Sequence, residues 1–383
     1  MNERVIYMKG GNVIAEAEKL VHRRGELPDG GPDKFLLSML HLTRNDSLFL
    51  VGEGDVFEQK NVLNCRVSSY AIRPRGKSKI LKRASYLKSA LRFAVDAIRF
   101  KPTKIFCGFE GAFAVIALYV AKLCGAEFIF LAHCALAINS TSSATKKANA
   151  ILCRQSDHLV VHGPFLHDQA LSLGASRSNI TEWNNGLDPS HRKFLEAIRG
   201  TATESSTVLY FGRVEEEKGV FDLLNAFCAL PRGLASKLQF IGAGTALEEL
   251  RSRAAGSSRS ADVEVVGPVK FEDIFTYITR AAVVVTPTRS SFAEGLCQSA
   301  IESFYAGKPV IAPDFGPFPY IIQHEVNGLI YTHDSVDSMA EALNRFFSEK
   351  ALRSQLDAGA ELAGQAHGEP KVSFRSALQK VLA

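Results

Sequence analysis

Glu294 and Glu302 stand eight residues apart in the stretch from Val283 to Pro313, VVVTPTRSSFAEGLCQSAIESFYAGKPVIAP. On one helix that spacing is a little over two turns, so both carboxylates look toward one crevice. A helix read from about Glu294 to Tyr305 puts Glu294 at its start. The amides of Gly295, Leu296 and Cys297 then carry the positive end of the macrodipole, which suits anionic or hydroxyl-rich ligands such as a diphosphate-sugar. Taken alone, the pair reads equally well as a helix-start carboxylate and a solvated one. A second set of candidate residues is Arg213 and Lys218, each beside a glycine, in VLYFGRVEEEKGVFDLLNAF. Two cations at the end of a strand, with Gly212 and Gly219 permitting close backbone approach, are able to neutralise a diphosphate. The competing reading is a charged loop in which Glu215, Glu216 and Glu217 pair with either base.

The elements that must position these groups alternate along the chain. Val283 to Thr286 and Pro309 to Ala312 read as buried strands flanking the helix, with a turn at Gly307, which makes one βαβ unit. Strand-like runs recur at Val5 to Met8, Leu48 to Val51, Lys104 to Cys107, Glu127 to Ala132, His158 to Val161 and Ile180 to Trp183, with helical segments between them. That order predicts α/β architecture with a mostly parallel sheet. Pro189 to Ser206 is polar, lacks a strand pattern and reads as a linker, and a second sheet starts at Thr207. With 383 residues, two domains are the expected count. The boundaries are 1–190 for an N-terminal Rossmann-like domain, 191–206 for the linker, 207–365 for a C-terminal domain and 366–383 for a last helix.

Composition narrows the classes. Hydrophobic residues are 46% and charged residues 22%, which argues against disorder or a fibrous chain. Seven scattered cysteines without a CxxC pair argue against a disulfide framework or a structural zinc site, and fit a reducing cytoplasm. No HExxH or comparable cluster occurs among the ten histidines, so no metal is expected. The N-terminus MNERVIYMKGG reads as a first strand rather than a signal peptide, and the apolar region from Ala112 to Ile138 is broken by Lys122, Glu127 and His133. Gly242-x-Gly244 lacks the third glycine of a dinucleotide fingerprint.

From Arg73 to Lys104 the chain carries eleven basic residues against one acid, Asp96. Ile80, Leu81, Ala84, Leu87, Leu91, Ala94, Val95 and Ile98 follow helical three-and-four spacing, so this apolar face is expected to pack inward and the cations to face out. Such a face attracts an anionic membrane surface or phosphate-bearing acceptors, at roughly 1 kcal/mol per basic residue near a membrane. The plain alternative is a solvated helix face. Nucleic acid is not the expected partner, because no exposed aromatics or RNA-module motif interleave with the basic residues.

In order, His133, Asn185-Gly186, Gly212-Arg213, Lys218-Gly219, Gly242-x-Gly244, Glu294 and Glu302, Gly307-x-Pro309 and Asn327-Gly328 resemble the pattern of retaining GT-B glycosyltransferases, specifically glycosyltransferase family 4, also called glycosyl transferases group 1. The resemblance is strong from Thr207 to Asn327 and looser from Thr103 to Asp188. It implies two Rossmann-like domains facing a central cleft. It also implies transfer of a sugar from a nucleoside diphosphate donor to a glycan or lipid-linked acceptor, retaining anomeric configuration and needing no cofactor or obligatory metal. The setting implied is cell-surface polysaccharide or glycolipid synthesis, by a cytoplasmic enzyme peripheral on the inner membrane face.

Residue by residue, the resemblance gives Arg213 and Lys218 to the diphosphate, Glu302 to the ribose, Glu294 and His133 to the donor sugar, and Gly212, Gly295, Leu296 and Cys297 to close contact. Gly267 and Val269 would lie against the base. An acceptor-side glycine loop falls at Gly30-Gly31 or, equally, at Gly10-Gly11. Two departures stand out: Gly295-Leu296-Cys297 replaces a glycine-phenylalanine-glycine type run, and Gly316-Pro317-Phe318-Pro319-Tyr320 replaces Gly-Gly-x-x-Glu and so lacks a carboxylate. The rival functions are a nucleotide-sugar-binding protein without transferase activity and a sugar-nucleotide 2-epimerase on the same fold.

Overall fold

The computed structural model describes residues 3–22, 34–72, 74, 76, 78–138, 141–184, 194–195, 206–367 and 372–382. The chain divides into two compact units: Met1–Ala137 with Thr141–Asn184 and Val372–Ala383, and Asn185–Lys371 with Ile138–Ser140. Each is built on its own sheet.

In the first unit the strands are β1 (Val5–Met8), β2 (Leu48–Glu53), β3 (Glu58–Val62), β4 (Cys65–Tyr70), β5 (Lys104–Cys107), β6 (Glu127–Ala132), β7 (His158–His162) and β8 (Ile180–Trp183). Their order is β3-β4-β2-β1-β5-β6-β7-β8, parallel throughout except where β3 meets β4. Helices α1 (Val13–His22), α2 (Lys34–Leu42), α3 (Lys79–Phe100), α4 (Ala112–Cys124), α5 (Ser143–Gln155) and α6 (Pro164–Ser172) make the connections. All four residues of β1 are buried, and they alternate between two cores: Ile6 and Met8 join Phe49, Phe93 and Phe113, while Val5 and Tyr7 join Leu50, Phe106 and Trp183. A run buried on both faces is what a central parallel strand requires.

The sequence reading contains no β3–β4 hairpin. Its two-residue turn, Leu63-Asn64, has both residues at positive φ (55° and 63°), which is the geometry that matches strand twist but usually draws Asn-Gly. The segment 29–33, including Gly30 and Gly31, lies outside the described residues, as does Asn185-Gly186. Gly10 and Gly11 are described: they join β1 to α1, with the Gly11 carbonyl accepting the Glu53 amide at 3.0 Å.

Helix α3 corrects the expectation about its faces. The residues it buries are Ser89, Ala90, Phe93, Asp96, Ala97 and Phe100, while Ile80, Leu81, Leu87, Leu91, Val95 and Ile98 are exposed. Phe93 packs edge-on to Tyr70 and against Phe113, and Phe100 lies against Phe49. The inner face goes to Phe93 and Phe100 because the sheet and α4 offer their rings aromatic partners there, in Tyr70, Phe113 and Phe49. Asp96 joins them because its charge is met there: the Tyr70 hydroxyl donates to it at 2.7 Å and Arg66 bridges it.

The second unit holds β9 (Thr207–Phe211), β10 (Lys237–Ile241), β11 (Val263–Gly267), β12 (Val283–Val285), β13 (Val310–Pro313) and β14 (Gly328–Tyr331), all parallel in the order β11-β10-β9-β12-β13-β14. From β9 the chain winds outward to β11, then returns to β12 on the other side of β9. The sheet therefore has a switch point between β9 and β12, where open α/β sheets leave a crevice at their carboxyl ends. The last helix, Phe374–Leu382, belongs to the first unit: Phe374 contacts the rings of Phe35, His133 and Trp183, and the Val372 carbonyl accepts the Asn184 amide at 3.0 Å.

Asp96→Ala removes the buried acceptor of Tyr70 and Arg66 and is expected to destabilise the first unit by about 2–3 kcal/mol. Urea unfolding followed by emission of Trp183, the single tryptophan, reads this directly, and Asp96→Asn, which keeps an acceptor, loses less.

Candidate functional site

A hollow of about 490 Å³ opens at the switch point of the second sheet. Gly212 and Arg213 reach it from the end of β9, Gly242 and Ala243 from β10, Pro268 and Val269 from β11, and Thr286 and Thr288 from β12. Lys218, Glu294, Gln298, Ser299 and Glu302 make its polar side, and Leu296 and Cys297 line it between them. Its size and its mixture of an apolar wall with a few convergent polar groups are those of a small-ligand site.

Glycines let these loops meet. A Cβ on Gly242, which has φ +136°, would fall 1.8 Å from the Gly212 carbonyl oxygen, and one on Gly219, with φ +73°, 1.8 Å from that of Pro287. No side chain fits at either place, and both positions need backbone angles that glycine tolerates. The Tyr210 hydroxyl donates to the Arg213 carbonyl and ties down the turn after β9, and burial holds that phenol well above its ordinary pKa.

Two of the three glutamates between Arg213 and Lys218 take other partners. Glu215 accepts from the Thr245 hydroxyl and amide, bonds that hold its carboxyl below the usual range, and Glu216 pairs with Arg289. Lys218 instead bridges Glu294, 76 residues further on. Phe292 lies beside both cations, its ring centroid 5.0 Å from the Arg213 guanidinium carbon and 4.2 Å from Lys218 Nζ. A ring face next to cations is an attractive contact that leaves their charge in place for an anion.

The expected start of the glutamate helix is corrected. The helix runs Gln298–Tyr305, with Cys297 at its N-cap, so Glu294 sits in the preceding loop and only Glu302 lies on the helix. The loop is pinned before it can coil: Arg289 holds Asp222 with two bonds of 2.7 and 2.9 Å, the Ser290 amide donates to Asp334 at 3.0 Å, and Glu294 is drawn to Lys218. The positive helix end facing the hollow therefore belongs to the first amides after Cys297, around Gln298 and Ser299, rather than to Gly295 and Leu296.

Of the residues singled out in the sequence, Arg213, Lys218, Glu294, Glu302, Gly212, Leu296, Cys297 and Val269 line one hollow. Gly267 and Gly295 do not line it: Gly267 ends β11, its carbonyl accepting the Gly242 amide at 2.9 Å, while Pro268 takes the lining position. His133 follows β6 in the first unit, in an aromatic group with Phe35, Trp183 and Phe374. Arg289 and Asp222 were missed because a pair 67 residues apart has no local signature. Thr286 was missed too. It is 4% exposed, and its hydroxyl has no hydrogen-bond partner among the described residues although the residue lines the hollow. A buried hydroxyl left unsatisfied is costly and is relieved by a polar ligand.

Residues 191–362 match the family described as glycosyl transferases group 1. That match lies in the second half of the chain, the half that holds the hollow. Glycogen synthase of Mycobacterium tuberculosis strain H37Rv is 28% identical over 205 residues, 52% of this chain and 48% of that one. The GDP-mannose-dependent alpha-(1-6)-phosphatidylinositol monomannoside mannosyltransferase of the same strain is 32% identical over 161 residues, 41% of this chain and 42% of that one. The chain thus spans about half the length of the curated relatives it matches. Among solved structures, Anabaena Alr3699/HepE in complex with UDP-glucose covers 99% of this chain and 98% of its own, with a TM-score of 0.65 at 15% identity. That likeness establishes the fold: two parallel-sheet α/β domains of the GT-B type.

Burial, and then the neighbouring Glu294 carboxylate, push the Cys297 thiol up to about 11. About one molecule in a thousand carries the thiolate at pH 8, so iodoacetamide should label exposed Cys134 and spare Cys297, with Cys297 reactivity rising only as pH approaches 11. Thr286→Val fills the same volume without the stranded hydroxyl. It is expected to raise the melting temperature of the ligand-free protein while weakening binding of a nucleotide-sugar about three- to tenfold, read by thermal shift and calorimetry.

Proposed function

We propose that this protein transfers a sugar from a nucleoside diphosphate donor to a glycan or lipid-linked acceptor, retaining the anomeric configuration, as a hexosyltransferase. One observation carries the reading: two cations, Arg213 and Lys218, converge with two carboxylates, Glu294 and Glu302, on a single hollow at the switch point of a parallel sheet. Cations there meet a diphosphate, and carboxylates there accept bonds from sugar and ribose hydroxyls. The fold it shares with a protein that binds UDP-glucose, and the family match in its second half, support the same reading.

In this mechanism the incoming diphosphate takes the place of Glu294 at Lys218. Glu294 is thereby released to accept hydrogen bonds from the donor sugar, while Glu302 holds the ribose. The bond from the anomeric carbon to the diphosphate oxygen then breaks, and its electron pair stays with the leaving phosphate. Arg213, Lys218 and the helix start at Gln298 meet that growing charge, so they stabilise the transition state more than the bound donor. The acceptor oxygen bonds to the anomeric carbon on the face the diphosphate leaves, and its proton passes to the departing phosphate. No side-chain base is required. His133 has a share in donor-sugar binding by its match to the family pattern. Because Arg213 and Lys218 supply the positive charge, no obligatory metal is assigned.

Arg213→Ala and Lys218→Ala should each lower kcat by about a hundred- to a thousandfold, equivalent to about 3–4 kcal/mol. The assay follows release of nucleoside diphosphate from UDP-, GDP- and ADP-sugars with a membrane extract as the acceptor source, with EDTA leaving the rate unchanged. Unaltered rates in both variants would falsify the assignment. A nucleotide-sugar-binding protein would instead retain the donor without consuming it, and an epimerase would convert the donor with no acceptor present.

A further inference from the structure

We infer that α3 is an interfacial helix that lays its apolar stripe into an anionic phospholipid surface. The observation is the reversal of its faces. At 100° per residue Ile80, Ala84, Leu87, Leu91, Val95 and Ile98 fall within about 80° of one another on the helix surface. Five of the six are large, and they are far from buried: Ile80 is 80% exposed, Leu91 70%, Leu87 68%, Ile98 53% and Val95 39%. Single exposed aliphatics are ordinary in soluble proteins, whereas a continuous stripe of them marks a contact surface.

Charge identifies what the surface meets. Arg83 borders the stripe on one side in the first turn, and Lys88, Arg92 and Arg99 follow the other side along the helix. The helix has one acidic residue, Asp96, and it is buried on the opposite face, hydrogen-bonded to Tyr70 and bridged by Arg66. The outer face is therefore apolar in the middle and positive along one margin and at its N-terminal end. Long basic side chains at such margins reach headgroup phosphates while the aliphatic row sits at the acyl boundary. At the N-terminal end of the helix Ile72, Lys82, Arg83, Tyr86 and Leu87 line a hollow of about 410 Å³, with two cations beside an apolar wall, which suits one anionic headgroup and the start of its chain. A second copy of this chain fits the same face poorly, because a two-fold contact would set these basic margins against each other. The wider basic run includes Arg73, Arg75 and Lys77, which lie outside the described residues.

This inference is independent of the transfer reading, and its test uses no nucleotide. Full-length protein is floated with vesicles of phosphatidylcholine alone and of phosphatidylcholine mixed with phosphatidylglycerol. Capture by the anionic vesicles only is expected. Leu87→Ser with Leu91→Ser, and separately Lys88→Gln with Arg99→Gln, should each weaken it at least about tenfold while thermal unfolding is unchanged, since all four side chains are exposed. In a separate variant, emission from Leu91→Trp should shift to the blue on anionic vesicles, against the constant signal of buried Trp183. The inference is overturned by equal binding to neutral vesicles, by no binding at all, by full binding of the leucine double variant, or by ultracentrifugation showing that the stripe joins two copies of the chain.

Discussion

Three strand-end loops of the second domain meet backbone to backbone, and the site exists because nothing larger than a hydrogen stands between them. Gly242 faces the Gly212 carbonyl, Gly244 that of Val214, and Gly219 that of Pro287, each at a distance no Cβ can occupy. This contact brings the ends of β9 and β10, and the loop after β12, to one point. Only then do Arg213 and Lys218 share a hollow with residues some 80 positions later. The glycines thus act through absence, by removing volume where the chain must approach itself, and the chemistry is carried by their neighbours.

Electrostatics in that hollow are arranged around exchangeable pairs. Glu215 and Glu216 are engaged by Thr245 and Arg289, which leaves Lys218 to Glu294, and both members of that bridge line the hollow. The bridge keeps both charges satisfied, since neither of these largely buried groups is left alone. The Arg289–Asp222 pair has a different character. It anchors the loop from 287 to 294 to the helix Val220–Ala229 and so sets where Glu294 stands.

In the first domain the same accounting of burial explains α3. Phe93 and Phe100 claim the inner face with Asp96, and the regular aliphatic row is left outside among cations. Periodicity revealed that the helix is amphipathic but not which of two competing apolar faces packs, because an aromatic pair and an aliphatic stripe give overlapping three-and-four patterns.

Much of the architecture was legible along the chain. Buried parallel strands are short continuous apolar runs, so the pattern places β1, β5, β6 and β8 at their observed bounds, and the glycine-flanked cations and the two glutamates, read as parts of one site, line one hollow. The β3–β4 hairpin escaped because Leu63-Asn64 is an unusual choice for a turn with both residues left-handed. The late start of the helix at Gln298 escaped because the bonds that delay it come from Asp222, Asp334 and Lys218, each distant in sequence. Thr286 and the outer face of α3 belong to the same class: burial and exposure are outcomes of packing among separated segments. Residue type and spacing specify local conformation and the kind of chemistry on hand, since both arise within a few bonds. Which groups meet, which are stranded and which face water depends on long-range contacts, and these exist only once the chain has closed on itself.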